Sequence, residues 1–265
     1  MNPGSVLEVR GVTVRFGGLT ALDAVSLAVP PRHVMGVIGP NGAGKTTLLN
    51  VLCGFIRPDD GEVHFSGRQH QVRPHNLASL GVARTLQGVG LYNGLTALEN
   101  VMVGATCRAK AGFWSALLSL PRAGRDERAL RDLARQALDR VGAAEVAGVR
   151  PPELSYGMRK KVALARALAA KPGLILLDEP ASGLSEAELA ELGALIRDLA
   201  NEGSLMVVEH HVDLMMRICD SIVVLDFGKV IAAGSPREVQ NNPAVTEAYL
   251  GTAEASDGAS DGPSQ

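Results

Sequence analysis

The chain has 265 residues, 46% hydrophobic and 20% charged, with a net charge of only -2. That composition supports a sizeable core and excludes a disordered chain. It also gives no global attraction to nucleic acid or an acidic membrane, and 3% aromatics is thin for a base-stacking sheet. Thirty glycines without a three-residue period exclude collagen. Cys53, Cys107 and Cys219 lie far apart, with no CxxC, so neither a disulfide framework nor a zinc site is expected and a reducing compartment fits best. The N-terminus lacks the pattern of a signal peptide, and no run approaches about 18 apolar residues. A cytosolic protein is expected, with a peripheral membrane role left open.

In chain order, Val12, Val14 and Phe16 alternate as on a strand that ends at Gly17-Gly18. Ala24–Val29 alternates again, up to Pro30-Pro31. His33–Ile38 is an apolar strand leading into a glycine-rich loop, and Thr46–Phe55 reads as a helix. Asp60-Gly61 is a turn before a short strand, Glu62–Phe65. Leu130, Leu133, Ala134, Ala137, Leu138 and Val141 recur at helical spacing opposite a charged face. The helical pieces from about Leu98 to Val141 suggest an inserted helical subdomain, with the apolar stretch Gly112–Leu120 as part of its packing. The last third alternates strand and helix: Leu174–Asp178, Glu186–Asn201, Leu205–Val208, Val212–Ile218, Ile222–Leu225. That rhythm means a parallel sheet with crossover helices. The polar stretch 251–265, with SDG twice, reads as a disordered tail.

Two motifs carry chemistry. Gly39-Pro40-Asn41-Gly42-Ala43-Gly44-Lys45-Thr46-Thr47 matches GxxxxGK[ST]. Glycines let the chain curl so that N–H groups and the next helix's dipole form an anion nest. Lys45 would reach the β- and γ-phosphates and the Thr46 hydroxyl would ligate Mg2+. Chance supplies the four fixed positions in on the order of one chain in a hundred, and here a strand precedes and a helix follows. The second motif is the apolar strand Leu174–Leu177 ending in Asp178 and Glu179. Its acids would stand at the sheet's C-terminal edge, where open α/β sheets bind ligands. Asp178 would hold Mg2+ through water, and Glu179 would polarise the attacking water.

Between these motifs stands Leu154-Ser155-Tyr156-Gly157-Met158, followed by RKKVALARALAAKP. This resembles the LSGGQ signature of ABC ATPases, and Ser155 precedes Asp178 by 23 residues, a similar spacing. Phe16 stands where the adenine-stacking aromatic would be, though a core strand aromatic is the other reading. Gln87 in ARTLQ resembles the Q-loop glutamine, a catalytic and metal-ligating position. Ser182-Gly183-Leu184-Ser185 resembles the D-loop, and His210 the switch histidine, leaving His211 at a helix start. Ser155 also reads as a helix N-cap. The resemblance covers roughly Val6 to Leu250. Tyr156 and Met158 depart from the signature's glycine and glutamine, and Ser185 from the D-loop Asp or Asn.

Finer features, among them EHHVDLMM and the ending NNPAVTEAYLG, resemble the ATP-binding subunits of branched-chain (hydrophobic) amino acid importers. The resemblance implies a P-loop NTPase (RecA-like) α/β core with a parallel sheet, an N-terminal antiparallel β part and a helical subdomain at about 98–165. It implies one ATPase domain over 1–250. It implies ATP and Mg2+, with Ser155 and Gly157 completing the site of a second copy or a paralogous ATPase chain. It implies membrane-embedded permease subunits, a periplasmic-type binding protein acting indirectly, no nucleic acid, and a place on the cytoplasmic face of the membrane. The alternatives are amide or urea import, lipid or polysaccharide export, and a non-transport ABC ATPase.

Overall fold

The computed structural model describes residues 4–85, 89–108 and 121–249. In chain order its strands are β1 (Leu7–Phe16), β2 (Leu19–Val29), β3 (Val34–Ile38), β4 (Asp60–Phe65), β5 (Arg68–Gln69), β6 (Val82–Arg84), β7 (Leu174–Asp178), β8 (Ser204–Val208), β9 (Ser221–Asp226) and β10 (Lys229–Gly234). The helices are α1 (Lys45–Leu52), α2 (Ala97–Ala105), α3 (Pro121–Arg140), α4 (Tyr156–Ala169), α5 (Glu186–Leu199), α6 (Val212–Ile218) and α7 (Pro236–Gln240). The chain forms two compact units, Met1–Pro74 with Ile196–Gln265, and His75–Leu195.

In the first unit, β2-β1-β4-β5 form an antiparallel sheet. A second sheet region runs β10-β9-β3-β8, with β3 parallel to both β8 and β9. Every residue of β3 and of β8 is buried, which is why both read as continuous apolar runs rather than alternating ones. The expected alternation of β1 holds only in part. Val12 and Val14 are buried, but Phe16 is 51% exposed. Register shifts between Val9 and Val12, Val12 and Val14, and Val14 and Arg15 break the period of two. The expected turn at Asp60-Gly61 is instead the start of β4, because Asp60 pairs with Thr13.

In the second unit, β6 pairs parallel with β7, and β7 is buried throughout. α2, α3 and α4 pack together. The stripe Ala134, Ala137, Leu138 and Val141 is buried as its spacing demands. α2 starts with a capping box, Thr96 with Glu99. Fully buried Asn100 donates to the carbonyls of Tyr92, Leu95 and Thr96 and accepts from the Tyr92 amide, pinning the turn ahead of α2. Gly112–Leu120 and the tail lie outside the described residues. Among those described, no helix is long and apolar enough to cross a membrane. Cys53, Cys107 and Cys219 form no disulfide.

Candidate active site

The phosphate loop is built by backbone geometry. Gly39, Gly42 and Gly44 have φ of 152°, 81° and 101°. A Cβ on Gly39 would strike the Leu225 carbonyl, and one on Gly44 would stand 2.6 Å from the Ala21 carbonyl. Only glycine satisfies both demands at once. α1 begins at Lys45 behind a Gly44 that offers no capping side chain, and its first turn carries no acid. The first N–H groups of a helix have no intrahelical acceptor, so an anion is the natural partner there. Lys45 is buried, and its ammonium donates to the carbonyls of Gly39 at 2.6 Å and Pro40 at 2.8 Å. Pro40 and Ala43 are buried, Asn41, Gly42 and Thr46 exposed, and Thr47 intermediate. A phosphate group fits this cradle.

The same unit holds His210, just past β8. Glu209, fully buried, accepts from the backbone amides of His210 at 2.9 Å and His211 at 3.4 Å. This turns the half-exposed His210 ring outward, with Nδ1 3.5 Å from the Glu209 carboxylate. His211 is the N-cap of α6, and its ring centroid lies 4.5 Å from that of His210. Phe16 offers its exposed ring from the end of β1.

The second unit holds the carboxylates. Asp178 ends β7, and its Oδ2 lies 2.8 Å from Nη2 of Arg84 on β6, with side chains only 3% and 10% exposed. Its amide donates to the Thr85 hydroxyl at 3.4 Å. Glu179 follows at φ 46°, in the left-handed region that ordinary residues adopt only under constraint. Ser155 is the N-cap of α4, accepting from the Met158 amide at 3.2 Å, so the N-cap expectation is met. Gly157 is buried, and a Cβ there would strike the Glu188 carboxylate. Gln87 lies outside the described residues. The carboxylate of Asp178 and the hydroxyl of Thr46 are hard oxygen donors of the kind Mg2+ takes.

Comparison with known proteins decides the family. Residues 22–182 match the family described as ABC transporter, and residues 229–255 match that of the branched-chain amino acid ATP-binding cassette transporter. The chain belongs to the ABC transporter family. Over 251 residues this cassette is 40% identical to the high-affinity branched-chain amino acid transport ATP-binding protein BraF of Pseudomonas aeruginosa, covering 94% of this chain and 98% of BraF. The ADP conformation of the ATP-binding cassette MJ1267 superposes with a TM-score of 0.80 at 30% identity, covering 93% and 99%. A dimeric post-hydrolysis state of the cassette MJ0796, bound to ADP and Pi, matches at 0.74 and 25%, covering 87% and 99%. The expected fold class is borne out, and the cassette is an ATP-hydrolysing transporter subunit.

Three residues of this cassette escaped the sequence reading. Arg84 stands in the ARTLQ stretch examined for its glutamine, and nothing linear links it to Asp178. Lys160 stands in the basic run Arg159-Lys160-Lys161 with no motif to mark it, yet its ammonium donates to the carbonyls of Glu179, Pro180 and Ser182. Tyr249 belongs to the AYLG ending. Burial pushes its phenol above the ordinary value, partly offset by the nearby Gly39 backbone, which places it close to the phosphate loop. Two of the departures have local explanations. Ser185 makes a capping box with Glu188, its hydroxyl donating to the Glu188 carboxylate, which an Asp carboxylate could not do. The Tyr156 ring lies against Gly183, where a Cβ would be 3.0 Å from Cε1. Nothing in the structure explains Met158.

Proposed function

We propose that this chain is the energy-coupling ATPase subunit of an importer of branched-chain or other hydrophobic amino acids. The observation that carries the reading is the match of residues 229–255 to the branched-chain family, joined to the 40% identity with BraF. That C-terminal stretch is what distinguishes this group from other ABC ATPases, and its Tyr249 lies near the Gly39 backbone of the phosphate loop. The reading takes 1–250 as one ATPase domain with a helical subdomain at about 98–165, and places the chain peripherally on the cytoplasmic face of the membrane.

The ligands are ATP and Mg2+. Backbone amides of Gly39–Thr47 cradle the phosphates, and the Lys45 ammonium exchanges its two loop carbonyls for phosphate oxygens. Phe16 stacks on the adenine. Thr46, Asp178 and Gln87 hold Mg2+, directly or through water. The bound ion offsets charge on the phosphate oxygens during transfer. Glu179 accepts a proton from the attacking water, and His210 donates a hydrogen bond to the γ-phosphate. Ser155 and Gly157 complete the site of a second ATPase copy, identical or paralogous, in a head-to-tail pair. Closing and opening of that pair drives permease subunits, fed by a periplasmic-type binding protein, with Gln87 linking nucleotide to permease.

The test is reconstitution with the cognate permease and binding protein in vesicles. Leucine, isoleucine or valine is expected to stimulate Mg2+-dependent ATP hydrolysis several-fold. Stimulation by an amide or urea alone would move the chain to that alternative. The absence of any nucleotide hydrolysis would overturn the reading.

A further inference from the structure

Lys160 lies on α4, one turn beyond Ser155 and Gly157, and is half-buried. An ammonium has three donors, and three carbonyls of one short loop surround this one. Nζ donates to Glu179 at 3.3 Å, to Pro180 at 2.8 Å and, by the shortest contact, to Ser182. Ala181 is buried beneath the loop, but its flanks face a cavity of about 500 Å3 lined by Leu177, Glu179, Pro180, Ser182 and Leu184, with Lys160 at its wall. On that side the ammonium is what the loop carbonyls meet. A second tie lies beside the first: Nζ is 5.1 Å from the centroid of the Tyr156 ring, and that ring rests on Gly183 of the same loop. The start of α4 and the loop from Glu179 to Gly183 are thus joined by a cation and an aromatic ring.

Glu179 sits within this grip at φ 46°. A left-handed conformation is strained for an ordinary residue and persists only where its surroundings over-determine it. Its own carbonyl is one of the three acceptors, so any rotation of the Glu179 peptide breaks a bond to the cation. Since φ and ψ aim the Cα–Cβ bond, the ammonium also aims the carboxylate. We propose that Lys160 is a positioning residue, its ammonium fixing the Glu179–Ser182 backbone so that the Glu179 carboxylate points at the attacking water. The proposal rests on the role given above to Glu179. It makes the start of α4, which carries Ser155 and Gly157, a mechanical neighbour of the hydrolytic base in the same chain.

The experiment compares Lys160→Met, Lys160→Arg, Glu179→Gln and Lys160→Met with Glu179→Gln, measuring ATP affinity, kcat, KM and melting temperature. Methionine keeps the apolar stem but removes the cation. Lys160→Met is expected to lower kcat by about 10- to 100-fold, as a misplaced reacting group does. ATP affinity and KM should stay within about twofold. Lys160→Arg should recover most of the turnover. In the Glu179→Gln background, Lys160→Met should cost nothing further, because residues acting as a unit are non-additive. Parental kcat in Lys160→Met, beside a slow Glu179→Gln, would overturn the proposal while leaving Glu179 as the base. Parental kcat in Glu179→Gln would instead overturn the reading of Glu179. A Lys160→Met loss that persists undiminished in the double variant, or that comes with equal losses of affinity and stability, would make Lys160 a fold staple and overturn its positioning role.

Discussion

The phosphate loop and the carboxylate loop are held in opposite ways. Around Gly39–Thr47 the holding is local: glycines at positive φ, carbonyls within contact distance of their missing Cβ atoms, a helix start without a cap, and Lys45 donating to carbonyls of its own loop. Around Asp178–Ser182 side chains from elsewhere in the chain do it. Arg84 takes Asp178, Lys160 takes three carbonyls, and the Tyr156 ring covers Gly183. Backbone demands restrict residue type locally, so they leave a motif. Side-chain demands are met by whatever cation the fold brings near, so they leave none. Nucleotide recognition thus rests on a nearly rigid frame, while the hydrolytic half depends on partners from two other elements.

Glu179→Gln separates these halves most sharply. Glutamine keeps size and one hydrogen-bonding oxygen but cannot take a proton. Turnover is expected to fall by about 10²- to 10⁴-fold with ATP affinity unchanged, because the phosphate loop is untouched. Size-exclusion chromatography with ATP and Mg2+ should show a trapped dimer. A variant hydrolysing at the parental rate would take the base role from Glu179 and dissolve the contrast.

How much of the fold was legible follows the same division. β7 and α6 appear where their residues predict, residue for residue, because a buried run stopped by acids and a short amphipathic turn are complete local signals. β6 is three residues long and carries no period to read. β2 begins at Leu19, before the expected Ala24, because pairing with β1 continues through register shifts that the pattern does not show. At the site, Gly39, Gly44 and Lys45 announce themselves, whereas Arg84 stands 94 residues from its partner and Lys160 stands 19 to 22 from its acceptors. Contacts of that separation are set by strand order and helix packing.

The Arg84–Asp178 pair sets the next largest effect. Both side chains are nearly out of water. Removing one partner of a buried pair leaves the other charge uncompensated, at a cost of about 3 kcal/mol or more. Arg84→Met is expected to lose that much stability by urea denaturation. Arg84→Met with Asp178→Asn should regain much of it, since the stranded charge is gone. If both variants unfold at the same urea concentration, the pair does not stabilise the carboxylate loop, and the contrast with the phosphate loop narrows.

The smallest effect comes from the first unit, where a side-chain latch does exist but faces water. Asp220, just ahead of β9, accepts from the Val34 amide at 2.8 Å and lies 2.7 Å from Nη1 of Arg197. Partial burial works to raise its carboxyl, but the Val34 amide and the Arg197 guanidinium outweigh it and hold the group below its ordinary value of 3.8. A lowered folded value means that the unfolded chain binds the proton more readily. The stabilisation is therefore complete above about pH 4 and drains away as pH falls through the folded value. Asn at this position still accepts from Val34 but offers Arg197 no charge. With a third of the carboxylate exposed, screening limits the loss to about 1 kcal/mol. For a chain of this size that is a drop in melting temperature of about 2–4 °C at pH 7. Calorimetry of parent and Asp220→Asn from pH 7 down to pH 3 should show the gap closing with acid. A gap that stays constant would mean that Asp220 acts through neutral hydrogen bonds alone. A gap as wide as that of Arg84→Met would mean that solvent does little to weaken an ion pair here, and burial would lose its place as the reason the carboxylate loop depends on its cations.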